Sequence, residues 1–114
     1  MDNITKIFKA LSDPNRVRIL QMLINKTLCV CEIQDVLDLS ISTVSKHLSI
    51  LKEAGFLLDE KSGKWVYYRL NTQSNDLAIN QLMLLLPIYL NNDKQIIDDK
   101  SKLNSNCQND VCCK

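Results

Sequence analysis

The chain has few of the residues that mark fibrous, secreted or membrane proteins. Its 114 residues include two glycines, two prolines and 5% aromatic residues, which excludes a fibrous repeat and a loop-rich secreted scaffold. The longest apolar run, Leu82 to Leu90, is interrupted by Pro87 and is far shorter than the roughly 20 residues of a membrane span. No secretory signal is visible near Met1. We therefore expect a single cytoplasmic domain with no membrane partner.

The chain also lacks a strong net charge and has few histidines. Lysine and arginine number 14 against 13 acidic residues, so a surface that binds nucleic acid would have to be a local patch. His47 is the only histidine, which argues against a zinc, nickel or cobalt sensor. Five cysteines are present, an odd number, and a reducing compartment disfavours a disulfide framework. These thiols are therefore available for metal or redox chemistry.

Hydrophobic spacing predicts a mainly helical chain with one β-hairpin. Apolar residues at three- and four-residue intervals predict the helices, and Asp13-Pro14 and Gly55 are typical of a helix start and a helix end. The predicted helices are Ile4–Leu11, one that starts at Asp13-Pro14, about Cys31–Leu37, about Ser42–Ala54 and about Ser74–Leu90. The hairpin joins Phe56–Glu60 to Trp65–Leu70 through a turn that contains Gly63.

This order of elements is that of a winged helix-turn-helix, an α+β fold in which the hairpin is the wing. The predicted helix at Ser74–Leu90 is apolar around most of its circumference between Leu82 and Tyr89, and a second copy of the chain is the simplest partner for it. We assign residues 1–90 to DNA binding and dimerisation. The polar composition of residues 91–114 predicts a flexible tail that contains cysteines.

The helix at Ser42–Ala54 would be the one that enters the major groove of DNA. With Val44, Leu48 and Leu51 facing inward, small hydroxyl and amine side chains point outward, where they can reach bases and phosphates. The predicted DNA-binding residues are Ser42, Thr43, Ser45, Lys46, His47 and Ser49 on the helix, and Lys61 and Lys64 at the hairpin turn. Alternatively, these residues form a solvated helix face, and His47 could equally be a structural residue near the core.

Three stretches carry a resemblance to a known family. Phe8–Arg16, Ser42–Leu48 and Gly63–Leu70 resemble the ArsR/SmtB family of metal-responsive winged-helix repressors, within a similarity that spans roughly residues 3–90. The resemblance implies a homodimer formed largely through the first and last helices. It also implies binding to double-stranded DNA at an inverted-repeat operator, with release when a metal binds.

The pair Cys29 and Cys31 resembles the Cys-Val-Cys box of that family. A helix N-terminus favours the thiolate, which is the form that binds soft metals. Residues two apart on a regular helix point about 200° away from each other. Both sulfurs can therefore reach one ion only if the first turn unwinds or lies outside the helix, and we expect metal binding to distort this element. The alternative is that both cysteines are inert core residues.

A site with three or more thiolates needs cysteines other than Cys29 and Cys31. Arsenic sensors of this type often carry a third cysteine where this chain has Gln34. The other candidates are Cys107, Cys112 and Cys113. They could complete the Cys29–Cys31 site within or across subunits, form a separate site, or bind metal without specificity.

The favoured function is a repressor that responds to As(III) or Sb(III), because three thiolates without nitrogen ligands suit these ions. A Cd(II) or Pb(II) sensor could use the same cysteines, and so could a thiol redox sensor that forms a disulfide. An enzyme is not expected, since the chain has neither a second histidine nor an evident oxyanion site. A winged helix that binds only proteins is a further alternative, which would show no salt-dependent affinity for DNA.

Overall fold

A computed structural model describes the backbone of residues 1–109 and the side chains of residues 1–105. The elements within this part of the chain are α1 (Asp2–Ala10), α2 (Pro14–Met22), β1 (Leu28–Cys29), α3 (Val30–Leu37), α4 (Ile41–Ala54), β2 (Leu57–Ser62), β3 (Trp65–Leu70), α5 (Leu77–Tyr89) and α6 (Lys94–Asn109). The order α3, α4, β2, β3 is a helix-turn-helix followed by a wing, as the sequence predicted.

Local capping explains where α2 and α4 begin and where α4 ends. The Asp13 side chain accepts a hydrogen bond from the backbone N–H of Asn15 at 2.8 Å, and Pro14 occupies the first position of α2. Ser40 caps α4 by accepting from the backbone N–H of Thr43. Gly55 ends α4 with φ = +101°, a conformation that glycine adopts without strain. The predicted start of α2 and end of α4 are confirmed.

The core forms where α1 to α4 meet the base of the wing. On α4, Val44, Leu48 and Leu51 are fully buried, which confirms the predicted inward face of that helix. Phe56 follows Gly55 and is also fully buried, so the chain turns into β2 over the core. This packing holds α4 against the body of the protein and leaves its other face exposed.

The wing belongs to a three-stranded antiparallel sheet with the order β1-β3-β2. Leu57 pairs with Leu70 at the base of the hairpin, and Ser62 pairs with Trp65 at its tip. The two residues of β1 pair with Tyr67 and Tyr68 of β3. Such a short strand has no alternation of its own, so the sequence did not predict β1. Its consequence is that Cys29 lies beside the middle of β3, opposite Tyr67.

The predicted helix at Ser74–Leu90 is α5, and it leaves large apolar side chains at the surface. Leu77, Leu84 and Ile88 are 72%, 65% and 76% exposed, and Tyr89 is 80% exposed. Phe8 of α1, which packs beside α5, is 58% exposed. An apolar surface of this kind in a small domain marks an interaction site. No helix among the described residues is long and apolar enough to cross a membrane.

The expected flexible tail is corrected over Lys94–Asn109, because these residues form α6 and pack against α2 and α3. Ile96 and Leu103 of α6 are buried. Asp99, only 3% exposed, accepts two hydrogen bonds from Arg18, at 2.8 and 2.9 Å. The prediction rested on polar composition, which gives few apolar side chains to bury. The ion pair with a distant helix allows this polar segment to dock, and composition alone does not reveal it.

Candidate nucleic-acid interface and thiolate site

The outer face of α4 carries most of the residues that the sequence predicted to bind DNA. The exposed side chains of this face are Ser42, Thr43, Ser45, Lys46 and Ser49. They alternate with the buried positions at helical spacing, so they share one continuous surface. This surface holds short hydroxyl side chains and one ammonium group, which leaves room for the helix to approach a groove.

His47 differs from the rest of the predicted set because its side chain is only 8% exposed. Its Nδ1 atom lies 3.2 Å from Nη1 of Arg16. Since a guanidinium group can only donate, Nδ1 is the acceptor in this hydrogen bond. His47 therefore faces α2 and not the open surface of α4.

Arg16 is a residue of this region that the sequence reasoning missed. Its Nε donates to the carbonyl oxygen of Ala10 at 2.8 Å, and its Nη2 donates to that of Lys9 at 3.1 Å. With His47, these contacts join the end of α1, the start of α2 and the middle of α4. The partners of Arg16 lie on other elements, so its contacts leave no local pattern in the sequence. The only available signal was its position in the first turn of α2.

The wing presents Lys61 and Lys64 at its tip, and both are exposed. Gly63 forms the turn with φ = +62°, and the Lys64 Nζ atom lies 5.7 Å from the centre of the Trp65 ring. The tip is therefore a basic site with one lysine partly held over an aromatic ring. This is where the sequence placed a phosphate or minor-groove contact.

An ion pair connects α4 to the wing. Lys52 Nζ donates to the Asp59 carboxylate at 2.9 Å, and this hydrogen bond raises the pKa of Lys52. Burial raises the pKa of Tyr68, and the nearby Asp59 carboxylate raises it further. Both effects keep the Tyr68 phenol neutral near pH 7.

Cys29 and Cys31 lie at the junction of β1 and α3, with their Sγ atoms 3.8 Å apart and no disulfide between them. Cys29 is the N-cap of α3, with extended backbone angles (φ = −83°, ψ = 163°). It is thus outside the helix, whereas Cys31 is within the first turn. Of the two arrangements that the spacing allowed, the structure has the one in which Cys29 precedes the helix. The sulfurs approach each other without unwinding of α3.

The sulfur separation fits a shared soft ion. Two thiolates that bind one ion at about 2.3 Å with tetrahedral angles are about 3.8 Å apart. Cys29 is buried and Cys31 is partly exposed, so an ion would reach the pair from the side of Cys31. The pair supplies two of the ligands that a thiolate site needs.

Backbone contacts hold the pair in place. The backbone N–H of Cys29 donates to Oε1 of Glu32 at 2.9 Å, and Cys29 is opposite Tyr67 in the β1–β3 pairing. Cys29 is therefore shared by the first turn of α3 and the sheet that ends in the wing. A displacement of its sulfur would act on both elements.

Comparison with known proteins identifies the family. A relative from Pseudomonas putida, the arsenic resistance transcriptional regulator ArsR2, is 34% identical over 112 residues, which is 94% of this chain and 95% of the relative. The profile of the bacterial regulatory protein, arsR family, matches residues 13–57. The chain belongs to the ArsR family.

Other relatives of this ArsR-family protein match over a shorter region. The arsenic resistance transcriptional regulator ArsR1 of Pseudomonas putida is 44% identical over 68 residues, which is 59% of this chain. The cadmium resistance regulatory protein CadC of Listeria innocua is 43% identical over 67 residues, which is 58% of this chain. The aligned region spans only 53% and 56% of the length of these two relatives.

Solved structures agree with the fold. HlyU from Vibrio cholerae is 28% identical, with a TM-score of 0.66, over 77% of this chain and 91% of HlyU. A homodimeric winged helix-turn-helix DNA-binding domain from Mycobacterium bovis is 24% identical, with a TM-score of 0.66, over 79% of this chain and 80% of that domain. This ArsR-family chain thus has the winged helix-turn-helix fold.

The third thiolate of this ArsR-family protein is not among the described side chains. Within residues 1–105, no group of three or more histidine, cysteine or acidic side chains is placed to hold a metal ion. Gln34, where a third cysteine is often found, donates from Nε2 to the Leu39 carbonyl oxygen at 3.2 Å. Cys107 belongs to α6, but its side chain lies outside the described residues, as do Cys112 and Cys113.

Proposed function

We propose that this ArsR-family regulator represses transcription and leaves its operator when As(III) or Sb(III) binds the thiolates of Cys29 and Cys31. The observation that carries the proposal is the 3.8 Å separation of their Sγ atoms at the start of α3. Soft thiolate ligands select soft ions, and the chain has a single histidine to offer as a nitrogen ligand. The regulators named for arsenic resistance among its relatives support the same inducer.

We infer that the exposed face of α4 reads the major groove of double-stranded DNA. Ser45, Lys46 and Ser49 would contact base edges or phosphates, with Ser42 and Thr43 at the start of the helix. Lys61 and Lys64 would place the wing against the backbone or the minor groove. These are the positive and hydroxyl side chains that the fold leaves exposed on one side.

A second copy of the chain is the proposed partner of the apolar surface on α1 and α5. Phe8, Leu84 and Ile88 are exposed although they are large and apolar, and burying them would favour association. A dimer with twofold symmetry presents two copies of α4, and this arrangement matches an inverted-repeat operator. The homodimeric DNA-binding domain with the same fold supports this assembly.

The third thiolate of the proposed site would come from the C-terminal part of the chain, and the course of α6 favours Cys107. Asp99 contacts Arg18 in the middle of α2, and Asn104 contacts Lys26 beyond the end of α2. Helix α6 therefore advances along α2 toward the loop that leads into Cys29. Cys107 is three residues, or about 4.5 Å of helical rise, beyond Asn104. Cys112 and Cys113 are the alternative donors.

A Cd(II) or Pb(II) response is the second candidate function. The relative named for cadmium resistance is 43% identical over 58% of this chain. Cys29 and Cys31 with two C-terminal cysteines would supply four thiolates, which suits an ion that prefers four ligands. The two inducers differ in the number of thiolates that they need, and this number can be measured.

The test measures DNA release by fluorescence anisotropy. Reduced full-length protein is bound to a labelled duplex selected from a random library, and As(III), Sb(III), Cd(II), Zn(II) and peroxide are titrated separately. Release by micromolar As(III) or Sb(III), with absorption-edge spectra showing three sulfur ligands, is the expected result. Release by Cd(II) alone would favour the second candidate. Release by peroxide alone would assign a redox function.

Variants of the cysteine pair make the test specific. In Cys29→Ser, serine retains the N-cap function, so α3 should still begin at the same residue. DNA affinity should remain near that of the wild type, while release by As(III) is lost. Cys31→Ser should behave in the same way. Unchanged release in both variants would refute the proposed inducer site.

A further inference from the structure

A cleft of about 490 Å³ lies between the start of α2 and the first half of α4. Its lining residues are Asp13, Arg16, Ser42, Thr43, Lys46 and His47. Two cationic side chains therefore face a single carboxylate, and the cleft opens beside the exposed face of α4. Nothing in the sequence pattern connects Arg16 with this face, and the contacts proposed for α4 do not include Arg16.

The guanidinium of Arg16 is held rigidly by neutral acceptors. It donates to the carbonyl oxygens of Ala10 and Lys9 and to Nδ1 of His47. Three of its five N–H groups are engaged in this way, which leaves one on each terminal nitrogen. A fixed planar fork with two remaining donors is suited to an oxyanion.

The charge of Arg16 is not neutralised by a carboxylate. The ion pairs within residues 1–105 are Arg18–Asp99 and Lys52–Asp59, and neither involves Arg16. Asp13 lines the same cleft, but its Oδ1 atom accepts from the backbone N–H of Asn15 as the helix cap. A partly buried cation without an anionic partner is stabilised when an anion enters the cleft.

His47 connects this cation to the recognition helix. Its ring is more than nine-tenths buried, and its Nδ1 atom holds one terminal nitrogen of Arg16 from the side of α4. Lys46, the neighbouring residue on α4, is exposed and brings the second positive charge to the cleft. An anion bound here would contact α2 and α4 together.

We propose that this cleft binds one backbone phosphate of the DNA duplex, with Arg16 as its principal ligand and Lys46 as the second. Thr43 contributes a hydroxyl hydrogen, because its Oγ1 atom accepts from Ser40 Oγ and its own hydrogen remains available. His47 is a positioning residue that orients Arg16. The inference rests on the proposed DNA-binding function and deepens it, since a phosphate fixed at this point sets the register of α4 in the groove.

The salt dependence of DNA affinity tests the proposal. Each phosphate that a protein neutralises contributes about 0.9 to the slope of log affinity against log salt concentration. Arg16→Gln and Lys46→Gln should each reduce that slope by about 0.9, and Arg16→Gln should bind about tenfold more weakly. Lys100→Gln removes the same charge from an exposed site on α6 and should change neither quantity.

Asp13→Asn tests the cleft in the opposite direction. Asparagine also caps helices well, so α2 should be preserved while the repelling carboxylate is removed. The Asp13→Asn variant should bind DNA a few-fold more tightly than the wild type does. Asp98→Asn, on the exposed side of α6, is the matched control and should have no effect.

A double-mutant cycle tests the positioning role of His47. His47→Leu should weaken DNA binding in the wild-type background and have little further effect in the Arg16→Gln background. Equal effects in the two backgrounds would show that His47 acts only on packing.

Two results would overturn the phosphate site. One is an Arg16→Gln protein that is folded and binds more weakly with an unchanged salt slope, which would assign Arg16 a structural role alone. The other is a wild-type DNA affinity in both Lys46→Gln and Asp13→Asn. This second result would exclude the phosphate site even if Arg16→Gln fails to fold. If the wild type itself shows no salt-dependent affinity for any duplex, the proposed DNA-binding function fails instead.

Discussion

Asp99 of α6 accepts two hydrogen bonds from one residue, Arg18 of α2, across 81 positions of sequence. The side chain of Asp99 is 4% exposed and that of Arg18 is 18% exposed. The hydrogen bonds to Asp99 raise the pKa of Arg18, so its guanidinium stays charged. It joins the C-terminal helix α6 to α2.

We predict that Asp99→Asn destabilises the protein by about 3 kcal/mol, because it leaves a partly buried guanidinium without its anion. Urea unfolding followed by circular dichroism measures this loss. The matched control is Asp98→Asn, which removes the same charge from the exposed neighbour and should change stability by less than about 0.5 kcal/mol. Equal stability of the two variants would show that the Arg18 contact contributes nothing to the docking of α6.

We predict that Cys107→Ser raises the As(III) concentration needed for DNA release at least tenfold, because the proposed site would lose its third thiolate. DNA affinity without As(III) should not change, since α6 is not among the elements proposed to contact DNA. The matched variant is Cys112→Ser with Cys113→Ser, which should respond as the wild type does. The reverse pattern would assign the third ligand to Cys112 or Cys113.

We predict that Ile88→Glu converts the dimer to monomers without loss of monomer stability. Ile88 is 76% exposed in the single chain, so the glutamate carboxylate is solvated in the monomer and would be desolvated only in the dimer. Sedimentation velocity measures the change in mass. Ile97→Glu is the control, because Ile97 is 52% exposed on α6, outside the α1–α5 surface. A dimer that persists in Ile88→Glu would place the interface elsewhere.

We predict that Gly55→Ala lowers the free energy of unfolding by about 1–2 kcal/mol, because alanine is strained at φ = +101°. An added Cβ would meet nothing closer than Ile79, at 3.9 Å, so the cost is conformational and not steric. Thermal unfolding measures it. Gly55→Asn should lose less, since asparagine tolerates positive φ at the end of a helix. Equal losses in the two variants would contradict this explanation.

The prediction from sequence succeeded where neighbours along the chain decide the structure. Asp13, Pro14 and Gly55 determine where helices begin or end, and their effect is limited to the nearest turn. The helical spacing of Val44 and Leu48 predicts the buried face of α4. The hairpin was predicted for the same reason, because its strands are adjacent in sequence. The face of the proposed DNA contacts follows directly from that helical spacing.

The prediction failed where a partner lies far away in sequence. The two residues of β1 became a strand only by pairing with β3, and α6 was stabilised by docking on α2 and α3. His47 could have been a surface or a core residue from its position on α4. In the structure its side chain is buried and contacts Arg16, which lies 31 residues earlier in the sequence.

The sequence by itself determined the helix-turn-helix with its wing, the exposed face of α4 and the presence of a cysteine pair, because each depends on local spacing and capping. Only the tertiary structure decided that the Cys29 and Cys31 sulfurs lie 3.8 Å apart beside β3, that Arg16 faces α4, and that α6 follows α2 toward the cysteines. The physical reason is that these relationships join elements that meet only when the core packs, and the long-range pairing that fixes them leaves no periodic signal in the chain.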